Sequence, residues 1–257
     1  MMRVTLRSIP WFAAMTFALS AAAQSSTAPA STTPAQQSPA DALPDAPSAM
    51  VHEAPAAVPT GSIVVFDTSM GRMVCRLFDK EAPITSANFV GLATGTKEFT
   101  DPVTSKKVTG VPFYDGTTFH RVIPGFMIQG GDRVGNGTGD AGYYIEDEIL
   151  PSLRFDVPGR LAMANSGPNT NSAQFFITEA PQPDLTGHYS IFGQCDEHAV
   201  VMVMSIARVQ RGADDKPVTP VMLNKVTVLK PGQPLPPDPH PAPAASPTPA
   251  APPPQNQ

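Results

Sequence analysis

Two apolar runs separated by a short turn mark the first strands along the chain. Residues 63–68 are rich in β-branched side chains and follow Gly61. Residues 73–78 form a second run after the turn at 69–71, which is the spacing of a hairpin connection. We therefore predict two adjacent antiparallel strands here.

Helical periodicity is confined to two segments. In the first, residues 85–93, the apolar positions share one face of a helix that follows Pro83 and ends near Gly95. The second segment, residues 199–207, is almost wholly apolar, so the spacing of its apolar residues cannot distinguish a helix from a strand. Its length favours a helix. We predict two helices.

Short apolar runs and glycine-rich turns fill most of the remaining chain. Residues 96–112 are polar and indicate a long excursion from the main structure, whereas residues 226–229 indicate a closing strand. Many short strands with few helices predict a mainly β fold, either a barrel or a sandwich.

Composition divides the chain of 257 residues into a middle part and two flanks. Residues 24–60 and 231–257 hold 19 of the 31 prolines and contain no Phe, Tyr or Trp. Residues 61–230 hold 11 of the 13 Phe and all four Tyr, so only they can bury a sizeable core, and we predict one domain there. We interpret 24–60 as a disordered linker and 231–257 as a solvated tail, with a spacer or a ligand for a proline-binding partner as the alternative.

The first 23 residues have the pattern of a cleaved signal peptide. Arg3 and Arg7 form a basic start, residues 9–18 are largely apolar, and three alanines at 21–23 supply a small-residue cleavage site. The apolar run is too short for a membrane span, which needs about 20 residues. We predict export to the periplasm with cleavage near Ala23, and no membrane span afterwards.

Charge and cysteine content narrow the classes of partner and chemistry. The formal net charge is −5 and no basic run exceeds two residues, so binding to nucleic acid is not expected.

Export would place the two cysteines, Cys75 and Cys195, where disulfides persist. A disulfide and two buried free thiols both remain open, whereas a catalytic thiol is disfavoured because Cys75 lies in an apolar run.

Several patterns that can carry other chemistries are better explained as structure. The G-x-G-x-x-G sequence at 137–142 matches a dinucleotide fingerprint, but residues 143–145 indicate a strand where that motif needs a helix. The acidic triplet 146–148 has no second acidic cluster or His partner, and we interpret it as a solvated strand end or turn. No histidines have metal-ligand spacing, and His120 is interpreted as a scaffold residue. No cofactor or metal is expected.

Two long stretches combine glycines, turn residues and large apolar side chains around few polar groups. Residues 119–132 place Arg121 and Gln129 among apolar residues. Residues 163–177 fill a loop with turn residues before an apolar strand. Neither stretch pairs a nucleophile with a base, so the chemistry must use one cation, one amide and an apolar wall.

These two stretches, in this order, resemble the cyclophilin family of peptidyl-prolyl cis/trans isomerases. Shorter motifs follow in family order: Pro-Gly-x-Leu at 158–161, Leu-x-Gly at 185–187 and Ile-Phe-Gly at 191–193. The match runs from about Gly61 to Lys230. The resemblance implies a closed eight-stranded antiparallel β-barrel capped by two α-helices.

The resemblance also implies a reaction that breaks no covalent bond. Rotation about a peptide bond meets a barrier of ~18–20 kcal/mol, and at its transition state the proline nitrogen gains a basic lone pair. By motif position, the catalytic residues are Arg121, which would donate to that nitrogen, and Gln129, which would contact the substrate near the rotating carbonyl. The other substrate-binding residues that the resemblance implies are Phe126, Met127, Ala164, Asn165, Gln174, Phe176, Leu185 and Tyr189.

Three features depart from the pattern of many family members. Asp184 stands where many have a tryptophan, which puts tight cyclosporin binding in doubt, and Tyr189 stands where many have a histidine. The excursion at 96–112 is longer than in the simplest members. The implied fold could bring the strands of Cys75 and Cys195 together, so a disulfide between them is a hypothesis.

The sequence thus predicts an exported peptidyl-prolyl isomerase that speeds the folding of proline-containing client polypeptides. We expect a monomer. The alternative is a non-catalytic module that binds or holds proline-containing peptides. A further possibility is autoinhibition, in which an X–Pro bond of residues 24–60 or 231–257 occupies the chain's own groove.

Overall fold

The computed structural model describes residues 57–240. The predicted signal peptide, nearly all of the predicted linker and residues 241–257 lie outside the described residues. Between residues 57 and 240, no helix is long and apolar enough to cross a membrane.

The described residues form eleven strands and two α-helices. The strands are β1 (Ile63–Thr68), β2 (Gly71–Leu77), β3 (Phe99–Thr100), β4 (Lys107–Val108), β5 (Thr117–Thr118), β6 (Arg121–Ile123), β7 (Met127–Gly130), β8 (Arg160–Met163), β9 (Phe175–Thr178), β10 (Ile191–Cys195) and β11 (Met222–Leu229). The helices are α1 (Pro83–Thr94) and α2 (Glu197–Ala207), with short 3₁₀ turns at Pro183–Leu185 and Ala213–Asp215. The predictions of a mainly β fold and of two helices are confirmed.

Nine of these strands form one curled antiparallel sheet in the order β5-β11-β1-β2-β10-β8-β9-β7-β6, and β3 pairs with β4 separately. The prediction of a closed eight-stranded barrel is wrong in both respects. Within residues 57–240 no ladder of hydrogen bonds joins β5 to β6, the two edge strands of the sheet. Thr118 of β5 makes only an isolated bridge, to Asp132. Strand β5 has only two residues, and the Val122 carbonyl of β6 accepts a hydrogen bond from Arg211 Nη1 instead (3.2 Å).

The predicted hairpin and the first helix are found with small changes in their limits. Strands β1 and β2 pair from Ile63 with Arg76 to Thr68 with Gly71, so the second strand begins two residues earlier than expected. Helix α1 ends at Thr94 and is capped by Gly95, whose φ of 74° is left-handed and suits a residue without Cβ.

Part of the acidic triplet has a structural role that sequence analysis did not assign. The Glu148 carboxylate accepts hydrogen bonds from the backbone amides of Ile84 and Thr85 (3.0 and 2.7 Å) at the start of α1, where such amides lack helical partners. The strand predicted at residues 143–145 is wrong, because that segment makes only an isolated bridge from Ile145 to Asn171.

The polar excursion at 96–112 is tied to the main sheet through Arg133. Its guanidinium lies 5.5 and 5.6 Å from the ring centroids of Phe99 and Phe113, and its Nε donates to Asp101 (2.9 Å). The β3–β4 hairpin therefore packs against the loop that follows β7.

Cys75 and Cys195 lie directly opposite each other on β2 and β10, and their sulfurs are joined in a disulfide. The bond links residues 120 positions apart in sequence. A cross-link between distant residues stabilises a fold mainly by restricting the unfolded chain.

Removing the disulfide is expected to lower the free energy of unfolding by about 2–4 kcal/mol. The test compares urea denaturation of the parent with that of a Cys75→Ala/Cys195→Ala variant. Both side chains are small and nearly fully buried, so the double variant leaves little new cavity. Equal midpoints, or two free thiols in the mass of the untreated parent, would contradict the expected stabilisation.

Candidate functional site

A row of side chains crosses three neighbouring strands on one face of the sheet. Arg121 of β6 lies opposite Gln129 of β7, and Gln129 lies opposite Phe176 of β9. Residues that are directly opposite in antiparallel strands point to the same face and approach closely. The register therefore places a guanidinium, a carboxamide and an aromatic ring side by side.

Strand alternation explains why this row is available to a ligand. The next residue on each strand points to the other face: Val122, Ile128 and Phe175 are fully buried in the core. One residue further, Met127 returns to the row's face. The core thus fixes the backbone, and the opposite face carries Arg121, Met127, Gln129 and Phe176.

The row forms the floor of a cleft of about 660 Å³. Nine of the ten site residues implied by the resemblance line it: Arg121, Phe126, Met127, Gln129, Ala164, Asn165, Phe176, Leu185 and Tyr189. The tenth, Gln174, lines the adjoining depression together with Gln129, Ala164 and Asn165. The structure thus brings the predicted residues together.

The apolar end of the cleft is supported by a second apolar cluster beneath it. Phe176 stacks on the buried ring of Phe155, with centroids 5.7 Å apart, and meets Tyr189 edge-on at 5.3 Å. Phe126, Leu185 and Tyr189 are partly buried and pack against this cluster. The wall is therefore apolar, and packed side chains beneath it support it.

Gln129 is oriented by a chain of amide hydrogen bonds. Its Nε2 donates to Gln174 Oε1 (3.0 Å), and Gln174 Nε2 donates to the carbonyls of Gly137 and Gly139 (3.0 and 2.8 Å). The bond from Nε2 fixes the Gln129 amide group, whose Oε1 is an acceptor.

Arg121 lies between the apolar wall and a charged rim. Its side chain is 43% exposed, and its Nε lies 3.9 Å from Asp215 Oδ2. Asp215 Oδ1 accepts a closer hydrogen bond from Arg211 Nη1 (2.7 Å). The carboxylate is therefore held mainly by Arg211, and the Arg121 guanidinium keeps donors for a ligand in the cleft.

Asp132 holds the loop that forms the far rim. Its carboxylate accepts hydrogen bonds from the backbone amides of Val134, Asn136 and Gly137 (2.7, 3.0 and 2.7 Å). A Cβ at Gly139 would overlap Asp132 Oδ1, so glycine is required for this close approach. Burial acts to raise the pKa of Asp132, but the backbone amides outweigh it and keep that pKa below its usual value.

His120 lies behind Arg121 and is almost entirely buried. Neither ring nitrogen has a hydrogen-bond partner within the described part of the chain. Burial lowers the pKa of His120 below its ordinary 6.5, with Asp132 acting in the opposite direction and Lys216 and Arg121 in the same direction. The imidazole is therefore neutral near pH 7, which agrees with a scaffold role.

The family model for cyclophilin type peptidyl-prolyl cis-trans isomerases matches residues 63–228. The chain belongs to the cyclophilin family. The sequence-based prediction of this family is therefore confirmed, and so is the prediction that the chain is an enzyme of the peptidyl-prolyl cis-trans isomerase class.

Two bacterial relatives each match about two thirds of this cyclophilin. Peptidyl-prolyl cis-trans isomerase A of Mycobacterium tuberculosis is 45% identical over 179 residues, which are 69% of this chain and 96% of that protein. Peptidyl-prolyl cis-trans isomerase B of Streptomyces anulatus is 47% identical over 163 residues, which are 63% of this chain and 93% of that protein.

Solved structures with a similar fold include a cyclophilin type peptidyl-prolyl cis-trans isomerase of Cryptosporidium parvum. It is 32% identical, has a TM-score of 0.56, and the match covers 65% of this chain and 97% of that one. The same protein was also crystallised in the presence of the dipeptide Ala-Pro, with a TM-score of 0.55.

Part of the cleft of this cyclophilin was not predicted from the sequence. The cleft is also lined by His120, which was predicted as a scaffold residue, by Asn136 and Gly137, and by the segment 214–216, none of which was predicted to be part of the site. Asp214 and Asp215 both have a φ of 57°, in the left-handed region, and lie about 90 residues beyond Arg121. No local pattern signals their contact with the site, because it depends on how α2 and β11 are connected across the sheet.

Acidification is expected to destabilise the protein through His120. Because its folded pKa lies below the unfolded value of about 6.5, the unfolded state binds more protons at low pH. The free energy of unfolding should therefore fall as the pH drops through 6.5 and level off below the folded pKa. Urea denaturation between about pH 5 and pH 8 measures this dependence.

A His120→Gln variant should lose this part of the pH dependence, whereas His198→Gln, at an exposed position on α2, should keep it. Parallel curves for the parent and the His120→Gln variant would show that another group is responsible.

Proposed function

We propose that the protein catalyses cis/trans isomerisation of X–Pro bonds in other polypeptides, with Arg121 stabilising the twisted amide. The observation that carries the proposal is the row Arg121–Gln129–Phe176, which places a cation and an amide beside an apolar wall. The solved relative crystallised in the presence of Ala-Pro supports a prolyl peptide as the ligand.

The chemistry of amide rotation matches what this row can supply. Resonance opposes rotation with a barrier of ~18–20 kcal/mol, and exchange at X–Pro bonds takes tens to hundreds of seconds. In the twisted state resonance is lost, and the proline nitrogen becomes a hydrogen-bond acceptor. A guanidinium that donates to this nitrogen binds the twisted state better than either planar state, which lowers the barrier.

Arginine suits this role for two reasons. It stays protonated at any physiological pH, and its planar fork presents several donors in fixed directions. In this cleft the competing carboxylate, Asp215, is already bonded to Arg211 at 2.7 Å and lies 3.9 Å from Arg121. The guanidinium can therefore turn towards a substrate without breaking a close ion pair.

The apolar wall supplies binding and orientation. We assign the pocket for the prolyl ring to the side chains of Phe126, Met127, Phe176, Leu185 and Tyr189. A ring held there is fixed while the preceding carbonyl rotates near Gln129. Exclusion of water by this wall also favours the less polar twisted amide as a secondary effect.

The substrate backbone has an edge on which to pair. The Ala164 amide donates to the Gln174 carbonyl (2.9 Å), and the Asn165 side chain donates to the His188 carbonyl (3.0 Å). These bonds fix the position of the segment beside the cleft. We propose that a client peptide adds to this edge as a further strand.

We further propose that the protein acts on exported clients in the periplasm as a folding catalyst. Two features support this location: the signal-like pattern of residues 1–23, and a disulfide that an oxidising compartment would preserve. Fractionation of expressing cells tests it. A mature protein that begins near Gln24 in the periplasmic fraction is expected, and an unprocessed cytosolic protein would refute the location.

A protease-coupled assay with a proline-containing peptide tests the activity. In this assay the protease cleaves only the trans form, so an isomerase speeds the slow phase. We expect a rate that rises in proportion to protein concentration. Peptide binding without any acceleration would instead support the non-catalytic binding module.

A further inference from the structure

The C-terminal proline-rich segment makes specific contacts with a buried arginine, Arg72, on a strand that does not line the cleft. Arg72 lies on β2, and its side chain is only 7% exposed. Its Nη1 donates to the Pro236 carbonyl (2.7 Å) and its Nη2 to the Pro237 carbonyl (2.9 Å). Two consecutive prolines are thus held through their backbone oxygens.

Arg72 is fixed in advance by Asp67 on the neighbouring strand. The two residues are direct partners in the β1–β2 ladder. Arg72 Nε and Nη2 donate to the two oxygens of Asp67 at 2.7 and 3.2 Å. This paired arrangement leaves the outer edge of the guanidinium free to donate, so the arginine does not have to be ordered when a ligand binds.

The chemistry of the site matches a Pro-Pro unit in particular. Proline has no backbone N–H, so consecutive prolines offer only acceptors, and arginine offers only donors. An ordinary dipeptide would also bring N–H groups that need acceptors of their own. Consecutive prolines also favour the extended polyproline II form, so little conformational entropy is lost on binding.

A third contact extends the site to the end of the hairpin. The His240 ring Nε2 lies 3.0 Å from the Thr68 carbonyl, and the His240 amide donates to Asp238 Oδ1 (2.8 Å). Pro236 is partly buried, whereas the other residues of 231–240 are exposed. Recognition therefore depends on hydrogen bonds to the backbone rather than on an apolar groove.

We propose that Arg72, Asp67 and Thr68 form a second peptide-binding site, specific for an extended Pro-Pro segment, and that its occupant is the chain's own residues 236–240. Strands β1 and β2 contribute no residue to the lining of the candidate cleft, so the two sites are separate. The proposal does not depend on the proposed isomerase activity.

Occupancy of this site has two physical supports. The docked segment makes two short charge-assisted hydrogen bonds, at 2.7 and 2.9 Å, to a guanidinium that Asp67 already holds in place, and such bonds are stronger than neutral ones. The segment is also attached to the domain through β11, which gives it a high effective concentration at the site. One consequence is that residues 236–240 are held away from the cleft, so this part of the chain does not act as an autoinhibitor.

Nuclear magnetic resonance on the whole protein tests the proposal. The backbone order parameters of Leu235, Asp238 and His240 report on docking, since the neighbouring prolines lack amide protons. In the parent we expect values near those of rigid backbone, about 0.85, and in an Arg72→Gln variant values below about 0.6. Arg76→Gln is the matched control, because Arg76 lies on the same strand and also donates to a backbone carbonyl, that of Gly61.

A second variant keeps the proposal testable if Arg72→Gln disturbs the hairpin. Pro236→Gly/Pro237→Gly leaves the Arg72–Asp67 pair intact but removes the stiffness of the segment, so its order parameters should also fall. The proposal is overturned if the segment is flexible in the parent, or if it remains rigid in both the Arg72→Gln and the double-glycine variants. Loss of order on dilution of the parent would assign the occupant to a second copy, which also overturns it.

Discussion

Replacing Arg121 by alanine is expected to lower kcat/KM for an X–Pro peptide by about 10²–10³-fold, the usual effect of removing one preorganised donor to a transition state. The reason is that the guanidinium contacts the proline nitrogen only when the amide is twisted. The loss should therefore fall mainly on kcat rather than on KM.

The fold should not suffer from this substitution. The Arg121 side chain is 43% exposed, and its nearest carboxylate lies 3.9 Å away, so unfolding free energy should change by less than about 0.5 kcal/mol. The matched control is Arg76→Ala, which removes a guanidinium from β2, a strand outside the cleft. An Arg121→Ala variant as active as the parent would refute the assigned role.

Replacing Phe175 by alanine is expected to lower the free energy of unfolding by about 3–5 kcal/mol. Phe175 is fully buried on β9, and its ring contacts those of Phe66, Phe89, Tyr114 and Phe119 at centroid distances of 5.4, 5.6, 5.6 and 6.2 Å. Removing the ring leaves a large cavity at the meeting point of the aromatic core, which neighbouring strands cannot close.

A phenylalanine that lines the cleft, Phe126, provides a control for this effect in the core. Phe126 is only partly buried and lines the cleft, so Phe126→Ala should raise KM with a much smaller loss of stability. Both variants can be compared by urea denaturation and by the peptide assay. Equal stability losses in the two variants would contradict the separation between the core face and the cleft face.

The local elements of this fold could be predicted because their signals lie within a few residues of one another. The β1–β2 hairpin follows from two apolar runs and a short turn, and helix α1 from its apolar face and Gly95. Helix α2 was correctly predicted from length alone. The strand expected at 143–145 does not form. Tyr143 instead donates its hydroxyl to Asn88 of helix α1, Tyr144 is exposed, and only Ile145 makes an isolated bridge.

Closure of the sheet could not be predicted from local patterns. Whether β5 meets β6 depends on strand lengths and on competition for the Val122 carbonyl by Arg211, a residue nearly 90 positions away in sequence. For this reason the resemblance implied a closed barrel, whereas the structure has an open nine-stranded sheet.

The candidate site was predicted in its central row and missed at its rim. Arg121 and Gln129 lie within one motif, and the resemblance to the cyclophilin family implied their place in the site. Their pairing across a tight hairpin was found only in the structure. At the rim, Asp215 lies near Arg121 although the two are 94 positions apart in sequence. Outside the cleft, Arg72 contacts Pro236, which is 164 positions away. No motif links the residues of either pair. Long-range contacts of polar side chains of this kind require the three-dimensional structure.

The most direct test of catalysis in the cleft is exchange spectroscopy on a short X–Pro peptide mixed with the whole protein. Exchange cross-peaks between the cis and trans forms should appear with the parent at a substoichiometric amount, because uncatalysed exchange is slow on this timescale. They should be strongly reduced with Arg121→Ala while peptide binding persists. Binding of the peptide to the parent without cis/trans exchange would contradict catalysis by this cleft.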